Sequence, residues 1–245
     1  MATTSIEWTD KTWNPVTGCT KISMGCEHCY AAVMARRLKG MNKPKYANGF
    51  NVATHSDVLR EPMLWKNPCV IFVCSMSDLF HKDVPFDFID KVMQVIKETP
   101  RHNYQILTKR AERLAEYFAS RQIPKNVWVG VTVELQATKF RLDCLRDLKA
   151  HVKFISCEPL LEDLGELDLT GIDWIIVGGE SGTQARPMKE EWVLNIKKQA
   201  DAKHIPFFFK QWGTWGVDGV RRNKKENGKL LRGEVVQCMP VVKNS

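Results

Sequence analysis

The sequence predicts an α/β chain built as a parallel (β/α) barrel of the TIM type, partial or complete. Three observations predict it. Short apolar runs alternate with segments of helical periodicity along most of the chain, as strands joined by helical crossovers require. Most of these runs end in polar or charged residues, where a barrel of this kind carries its active site. No G-x-G-x-x-G follows an early strand, which counts against the competing doubly wound dinucleotide fold.

The elements follow in order. Residues 5–14 read as a first strand or an irregular lead-in, and Asn14-Pro15 and Gly18 turn the chain into a cysteine-rich loop. Residues 30–38 read as a helix stopped by Gly40. Residues 41–68 are rich in Asn, Pro, Lys and Gly and read as a loop or short insertion. Tyr46, Phe50, His55 and Trp65 within it argue against a simple solvated linker. Residues 69–74 (CVIFVC) form a continuous apolar run, as expected of a strand buried on both faces, and end in Ser75-Met76-Ser77-Asp78. Phe86, Ile89, Val92, Met93 and Ile96 mark a helix over 86–98.

A strand at 104–107 ends in Thr108-Lys109-Arg110, and a helix over 111–120 follows. A strand at 127–131 ends in Thr132-Val133-Glu134, and a helix over 138–148 follows. Residues 153–156 lead to Cys157-Glu158-Pro159, and residues 174–177 to Gly178-Gly179-Glu180-Ser181. After a helix over 190–202, residues 206–209 lead to Lys210-Gln211-Trp212. The alternation is weak between 158 and 172. The expected organisation is a barrel over 1–213, with 41–68 as an insertion, and a basic extension over 214–245. Within the extension, residues 217–234 read as a turn or hairpin and 235–242 as a returning edge strand. Arg221, Arg222, Lys224 and Lys225 read as a solvated loop or, alternatively, as phosphate contacts.

Composition narrows the classes. Hydrophobic residues make up 44% of the 245, enough for a sizeable core. No apolar leader opens the sequence and no stretch reaches the ~20 apolar residues of a membrane helix, so a cytoplasmic protein without membrane contact is expected. Eight cysteines in that setting read as reduced thiols rather than a disulfide framework. Lys and Arg number 36 against 28 Asp and Glu, a net +8 that suits DNA, RNA or a nucleotide as partner. An ordinary basic surface is the plainer explanation.

Three of the cysteines, Cys19, Cys26 and Cys29, lie in a C-x6-C-x2-C pattern. Thiolates this close in sequence are a ready ligand set for a metal or a cluster. Structural zinc would want a fourth protein ligand, and His28, wedged between two of the cysteines, is poorly placed to be it. Cys69 and Cys74 read as core residues, Cys144 and Cys238 as incidental. Cys157 reads either as core or as facing a site beside Glu158. Trp13 and Trp212 read as core residues or as stacking platforms for a base.

Nine blocks carry a family resemblance: TWNPVTGC (12–19), CEHCY (26–30), CSMSDLFH (74–81), LTKR (107–110), VGVTVE (129–134), SCEPLLE (156–162), VGGESG (177–182), ARPM (185–188) and FFFKQWG (207–213). On these the chain resembles the phage Gp37/Gp68-type proteins, a three-cysteine-motif group of radical S-adenosylmethionine (SAM) character. It is more distantly similar to the DNA photoproduct lyases of that superfamily. The cysteine loop resembles the radical SAM cluster loop, with a first gap of six residues where three is usual, and His28 where an aromatic is usual.

The resemblance implies a barrel of the radical SAM kind and a 4Fe–4S cluster on Cys19, Cys26 and Cys29. SAM would chelate the iron that has no thiolate. Reductive cleavage of SAM, with an electron from an external donor, would give a 5′-deoxyadenosyl radical that takes hydrogen from a substrate; the sequence leaves open whether a partner protein takes part. Ser75, Ser77 and Asp78 stand at the second-strand position that meets the SAM amino group. Thr132 and Glu134 are candidates for its ribose hydroxyls, and Lys109 for its carboxylate or a substrate phosphate. Gly178-Gly179-Glu180 has the letters of the GGE motif about five strands from its usual place. The role of that motif is therefore not transferred, but the glycines allow close approach of a ligand. Cys157, as a thiol able to quench a carbon radical, and Glu158 beside it are the catalytic candidates. Two other readings stand: a radical SAM enzyme acting on a peptide or small metabolite, and a non-catalytic iron–sulfur or zinc protein that binds nucleic acid.

Overall fold

The structure is a computed structural model and describes residues 4 and 6–241. Ser5 of the expected lead-in and Val242 of the expected edge strand lie outside the described residues. The first elements are β1 (Lys11–Trp13), β2 (Val16–Thr17), α1 (Tyr30–Gly40), β3 (Ala53–Thr54), β4 (Val70–Val73) and α2 (Phe86–Glu98). Then come β5 (Asn103–Thr108), α3 (Ala111–Phe118), β6 (Val127–Thr132), α4 (Phe140–Arg146), β7 (Val152–Cys157) and β8 (Trp174–Gly178). The last are α5 (Glu190–Ala202), β9 (Phe207–Gln211), α6 (Lys224–Asn227), β10 (Leu230–Leu231) and β11 (Glu234–Val235).

Seven strands form one parallel sheet in the order β1-β4-β5-β6-β7-β8-β9. The order follows the chain without reversal, which is the singly wound arrangement of a (β/α) half-barrel. A doubly wound sheet would reverse direction at a switch point. The α/β class and the partial form of the barrel are those expected. Among the described residues no helix is long and apolar enough to cross a membrane. The chain divides into two units, Met1–Gly130 with Leu148–His151 and Val131–Asp147 with Val152–Ser245.

In the first unit β4 pairs with β1, Ile71 opposite Lys11, and with β5, Ile71 opposite Tyr104. Its Ile71, Phe72 and Val73 are buried, as the continuous apolar run requires. α2 buries Phe88, Ile89, Val92, Met93, Val95 and Ile96, a stripe at helical spacing. The helix ends where the Thr99 hydroxyl donates back to the Val95 carbonyl at 2.7 Å. The 41–68 segment carries three 3-10 turns besides β3. It buries Val58 and Leu59 and is tied down by Arg101, which donates to the Trp65 and Met63 carbonyls.

In the second unit β7, β8 and β9 pair in parallel, Ile155 opposite Ile175 and Ile175 opposite Phe207. All five residues of β8 are buried. The weak stretch between β7 and β8 contains no helix. It is an irregular strap that buries Leu160, Leu164, Leu167, Leu169 and Ile172. After the β10–β11 hairpin the tail runs antiparallel along β9. Phe209 donates to the Val236 carbonyl at 2.7 Å and Cys238 to that of Phe207 at 3.0 Å. In place of the expected edge strand there is an isolated bridge, Gln237 opposite Phe208, flanked by these two hydrogen bonds.

Candidate functional site

The first unit gathers one cluster of polar side chains. Gly18 sets its entrance. Its φ is +81°, and a Cβ there would stand 2.1 Å from the Asn51 carbonyl oxygen, so only glycine lets the chain pass. Gly18 donates to the Met76 carbonyl and Cys19 to that of Phe50, which fixes Cys19 beside the turn after β4. Cys74 begins that turn with a left-handed φ of 62°. Ser75 donates to Asn14 Oδ1 at 3.1 Å and Ser77 to the Val16 carbonyl at 2.7 Å. The Tyr30 hydroxyl, one residue past Cys29, donates to the Ser75 carbonyl.

Asp78 is the hub. Its carboxylate accepts from the Phe80 N–H, the Thr108 hydroxyl, the Lys109 N–H and Arg110 Nη1, the last at 3.0 Å. Arg110 spans the cluster. Its Nη1 also donates to Cys19 Sγ at 3.5 Å, and its Nη2 to the Thr20 carbonyl and hydroxyl at 3.0 and 3.1 Å. His81 Nδ1 accepts the Asp83 N–H, so its Nε2 carries the proton and donates to the Thr20 hydroxyl at 2.7 Å. Burial, with the Asp78 charge next, pushes the Cys19 thiol up to about 11, against the opposing pull of Arg110.

The second unit holds a row of strand-end carboxylates, each paired with a cation. Glu134, after β6, accepts from Arg141 of α4 at 2.7 Å, and the two are 0% and 3% exposed. Arg141 donates as well to the Thr132 carbonyl at 2.8 Å. Glu158, after β7, meets Lys210 of β9 at 2.7 Å and accepts the Ser156 hydroxyl at 3.0 Å. Glu180, after β8, accepts the Arg186 side chain through Nε and Nη2 at 2.9 and 2.8 Å, and the Arg186 N–H at 2.8 Å.

Several expectations change on this geometry. Trp13 and Trp212 are 0% and 2% exposed, with indole N–H groups given to the Val58 and Leu230 carbonyls, so both are core residues and neither is a stacking platform. Cys157 is 0% exposed, and a thiol with no open surface does not meet a substrate radical. Gly178 and Gly179 are close to the protein itself. A Cβ at Gly179 would fall 1.9 Å from the Trp212 carbonyl oxygen, and one at Gly178 2.9 Å from Glu158 Oε1. Asp78, Glu134 and Glu180 already have protein donors on their carboxylates. Lys109 is half-buried, Thr132 is buried, and Ser75 and Ser77 line the turn beside the cysteine loop. Arg110, Arg141 and Arg186 were not singled out from the sequence. For Arg141 a signal existed, since it falls in register with the buried Leu142 and Leu145 of a helix.

Cys19, Cys26 and Cys29 are all free thiols of intermediate exposure. Cys26 closes a 3-10 turn, Met24–Cys26, and Cys29 is the residue that precedes α1. Three thiols on one loop fit a cluster in number and donor type, and Cys26 is near enough to act electrostatically on Cys19. Among the described residues no three His, Cys, Asp or Glu side chains stand together as a ready ligand set, so the loop must close further around any metal group.

A model of the family described as "Protein of unknown function (DUF5131)" matches residues 3–240. No curated protein matches. Among solved structures, the chain is similar to spore photoproduct lyase complexed with dinucleoside spore photoproduct, at 10% identity and a TM-score of 0.43. It is similar also to a mutant of that lyase with bound AdoMet and dinucleoside spore photoproduct, at 11% identity and a TM-score of 0.43. These matches cover 76% and 78% of this chain and 59% and 60% of the other, so the chain spans about three-fifths of the lyase's length.

Proposed function

The chain belongs to that family, and we propose that it is a radical SAM-type enzyme in which Cys19, Cys26 and Cys29 hold a 4Fe–4S cluster. The cysteine trio carries the reading: three free thiols on a loop that leaves the half-barrel sheet after β1 and returns as α1. The phage three-cysteine resemblance is part of this proposal. When bound, the cluster and SAM supply one-electron chemistry that generates a hydrogen-abstracting radical.

The chain's own residues position and neutralise. Arg110, anchored on Asp78, holds the Cys19 end of the loop against the strand ends. Ser75 and Ser77 give their protons to protein acceptors, which leaves oxygen lone pairs for the ammonium group of SAM. The half-buried Lys109 suits a carboxylate or phosphate. The Thr132 hydroxyl is the proposed contact to the SAM ribose, with Glu134 bracing it through Arg141. Among the three strand-end carboxylates of the second unit Glu158 is the most open, at 15% against 6% for Glu180 and 0% for Glu134. It is the acid–base candidate, with Lys210 as its counter-charge.

DNA, RNA or a nucleotide is the proposed substrate class, on the net +8. An external electron donor and a cytoplasmic setting, where thiols stay reduced, belong to the same reading. The residues past 213 are proposed as an extension of the barrel. The unassembled state of the three thiols favours a second reading, a non-catalytic zinc or iron–sulfur protein.

The test is anaerobic reconstitution with iron and sulfide, then reduction and EPR with and without SAM. A reduced-cluster signal that changes with SAM, and 5′-deoxyadenosine formation lost in Cys26→Ala, is the expected result. Stoichiometric zinc with no cluster would sink the enzyme reading and leave the second.

A further inference from the structure

Between Cys19 and Tyr46 the chain carries six Lys and Arg against one carboxylate, Glu27, which is five of its eight excess positive charges. Five of the six, Arg36, Arg37, Lys39, Lys43 and Lys45, fall within ten residues that hold no carboxylate. Among the described residues none of these five makes a side-chain hydrogen bond or ion pair. The strand-end cations differ: Arg110, Arg141, Lys210 and Arg186 each sit on a carboxylate. The helix dipole accounts for Arg37 and Lys39 in the last turn of α1, but not for Arg36 or for the two lysines beyond the helix.

α1 lies down on the first unit through small residues, Ala31 and Ala35, which pack with Tyr46 and Met76. At ~100° per residue, Arg36, Val33, Arg37, Tyr30 and Met34 then fan across the outer face in that order, so cations and apolar side chains interleave. All five are exposed; Tyr30 is 58% exposed, and Met41, just past the helix, 64%. The Tyr30 hydroxyl donates to the Ser75 carbonyl, which fixes the ring in place. Apolar groups turned away from the core do nothing for folding and mark a contact surface. Protein interfaces are poor in Lys, and three of the five clustered cations are Lys, which favours a polyanion over a protein. A duplex would meet this face with phosphates and leave its apolar residues without contacts. A single strand offers phosphates to the cations and unstacked bases to the apolar side chains.

We propose that the outer face of α1 and the turn after it hold a single-stranded segment of nucleic acid. Arg36, Arg37, Lys39 and Lys43 meet its phosphates, and Tyr30, Met34 and Met41 lie against its bases. The proposal rests on the reading of DNA, RNA or a nucleotide as the substrate class. It adds that the bound polymer is unpaired, and which face grips it. The contacts are ion pairs and stacking, so no covalent bond forms or breaks. Contacts of this kind are made to any base, so binding is not sequence-specific.

The test is fluorescence anisotropy with full-length protein and a labelled oligothymidylate of about 16 nucleotides, beside a duplex of the same length, between about 50 and 200 mM salt. Two double variants are compared, Arg37→Gln with Lys39→Gln, and Met34→Ser with Met41→Ser. All four positions are exposed, so thermal melting should stay close to the wild type. The wild type should bind the single strand about tenfold more tightly than the duplex. The charge variant should bind about tenfold more weakly at low salt and lower the salt slope by roughly 1.4, about 0.7 for each lost phosphate contact. The methionine variant should bind about fivefold more weakly with the slope unchanged. Lys224→Gln with Lys225→Gln, at exposed positions of the second unit, should keep the wild-type slope. The proposal is overturned if the α1 variants bind as the wild type does, or if the duplex binds as tightly as the single strand. In either case wild-type binding still supports a nucleic-acid substrate. If the wild type binds neither polymer, the substrate reading has failed and this proposal with it, and capture of polyglutamate would then assign the face to an acidic protein.

Discussion

Replacing Arg141 by Met should lower folding stability by about 4 kcal/mol. Arg141 and Glu134 are 3% and 0% exposed and 2.7 Å apart, so neither charge is solvated if the other is removed. Methionine keeps much of the arginine stem, so the loss is electrostatic rather than a cavity. Removing one partner of a buried pair costs about 3–5 kcal/mol, and the Thr132 carbonyl loses its donor for about 1 kcal/mol more. Against this, Arg141 Nε has no hydrogen-bond partner, and that buried polar group disappears with the side chain. The assay is urea unfolding followed by circular dichroism. At a slope of about 3 kcal/mol per M, the midpoint should move down by roughly 1.3 M. Glu134→Gln alone should also destabilise. The double variant should then lose at least about 2 kcal/mol less than the two single losses together. If Arg141→Met loses under about 1 kcal/mol, or if the single losses simply add, the pair is not what holds this strand end. Glu134 would then be available to a ligand.

Two further outcomes follow from the structure. His55, His81 and His102 have pKa values lowered from the usual 6.5, in each case first by burial, with neighbouring cations Lys45, Arg110 and Arg101 adding to it. Folded-state values below the unfolded one mean stability is fully present above pH ~6.5 and lost as pH falls through the folded values. The urea midpoint should therefore hold from pH 8 to 7 and drop as the pH falls below about 6.5, and a flat profile there would contradict the burial. Gly179→Ala should cost about 3 kcal/mol or more, because its Cβ would meet the Trp212 carbonyl oxygen at 1.9 Å and backbone cannot move aside cheaply. A melting temperature within a degree of wild type would show that β8 and the residues after β9 can separate freely.

The parts legible in the sequence are those governed by period and continuity. The runs that became β4, β6 and β8 are buried throughout or nearly so, and no alternating pattern competed with the strand reading. The helix over 86–98 was legible because its apolar stripe is complete. The start of α4 was not. The Thr138 hydroxyl accepts the N–H groups of Glu134 and Leu135 at 3.2 Å, making a 3-10 turn, so the helix begins only at Phe140. In the candidate site, strand-end carboxylates were visible as residues, but their partners were not. Arg110 reaches Asp78 across 32 positions, and Lys210 reaches Glu158 from another strand. An ion pair between elements leaves no periodic trace. Trp13 and Trp212 were ambiguous for a related reason: an aromatic at a strand end packs or stacks according to what covers it, which is a tertiary fact.

These pairings bear on what the net charge means. In each unit, taken by itself, the strand-end carboxylates are matched by cations: Asp78 by Arg110 in the first, and Glu134, Glu158 and Glu180 by Arg141, Lys210 and Arg186 in the second. A cation spent on a buried carboxylate adds nothing to the attraction of a polyanion. Of the eight excess charges, five fall between Cys19 and Tyr46, on and around α1. The +8 is therefore weaker support for nucleic acid at the strand ends than the bare number suggests. A polyanionic substrate would have to engage Lys210 or Lys109, the half-buried lysines at the strand ends, and Lys210 already neutralises Glu158. A substrate phosphate at Lys210 would have to displace that carboxylate from the ammonium group.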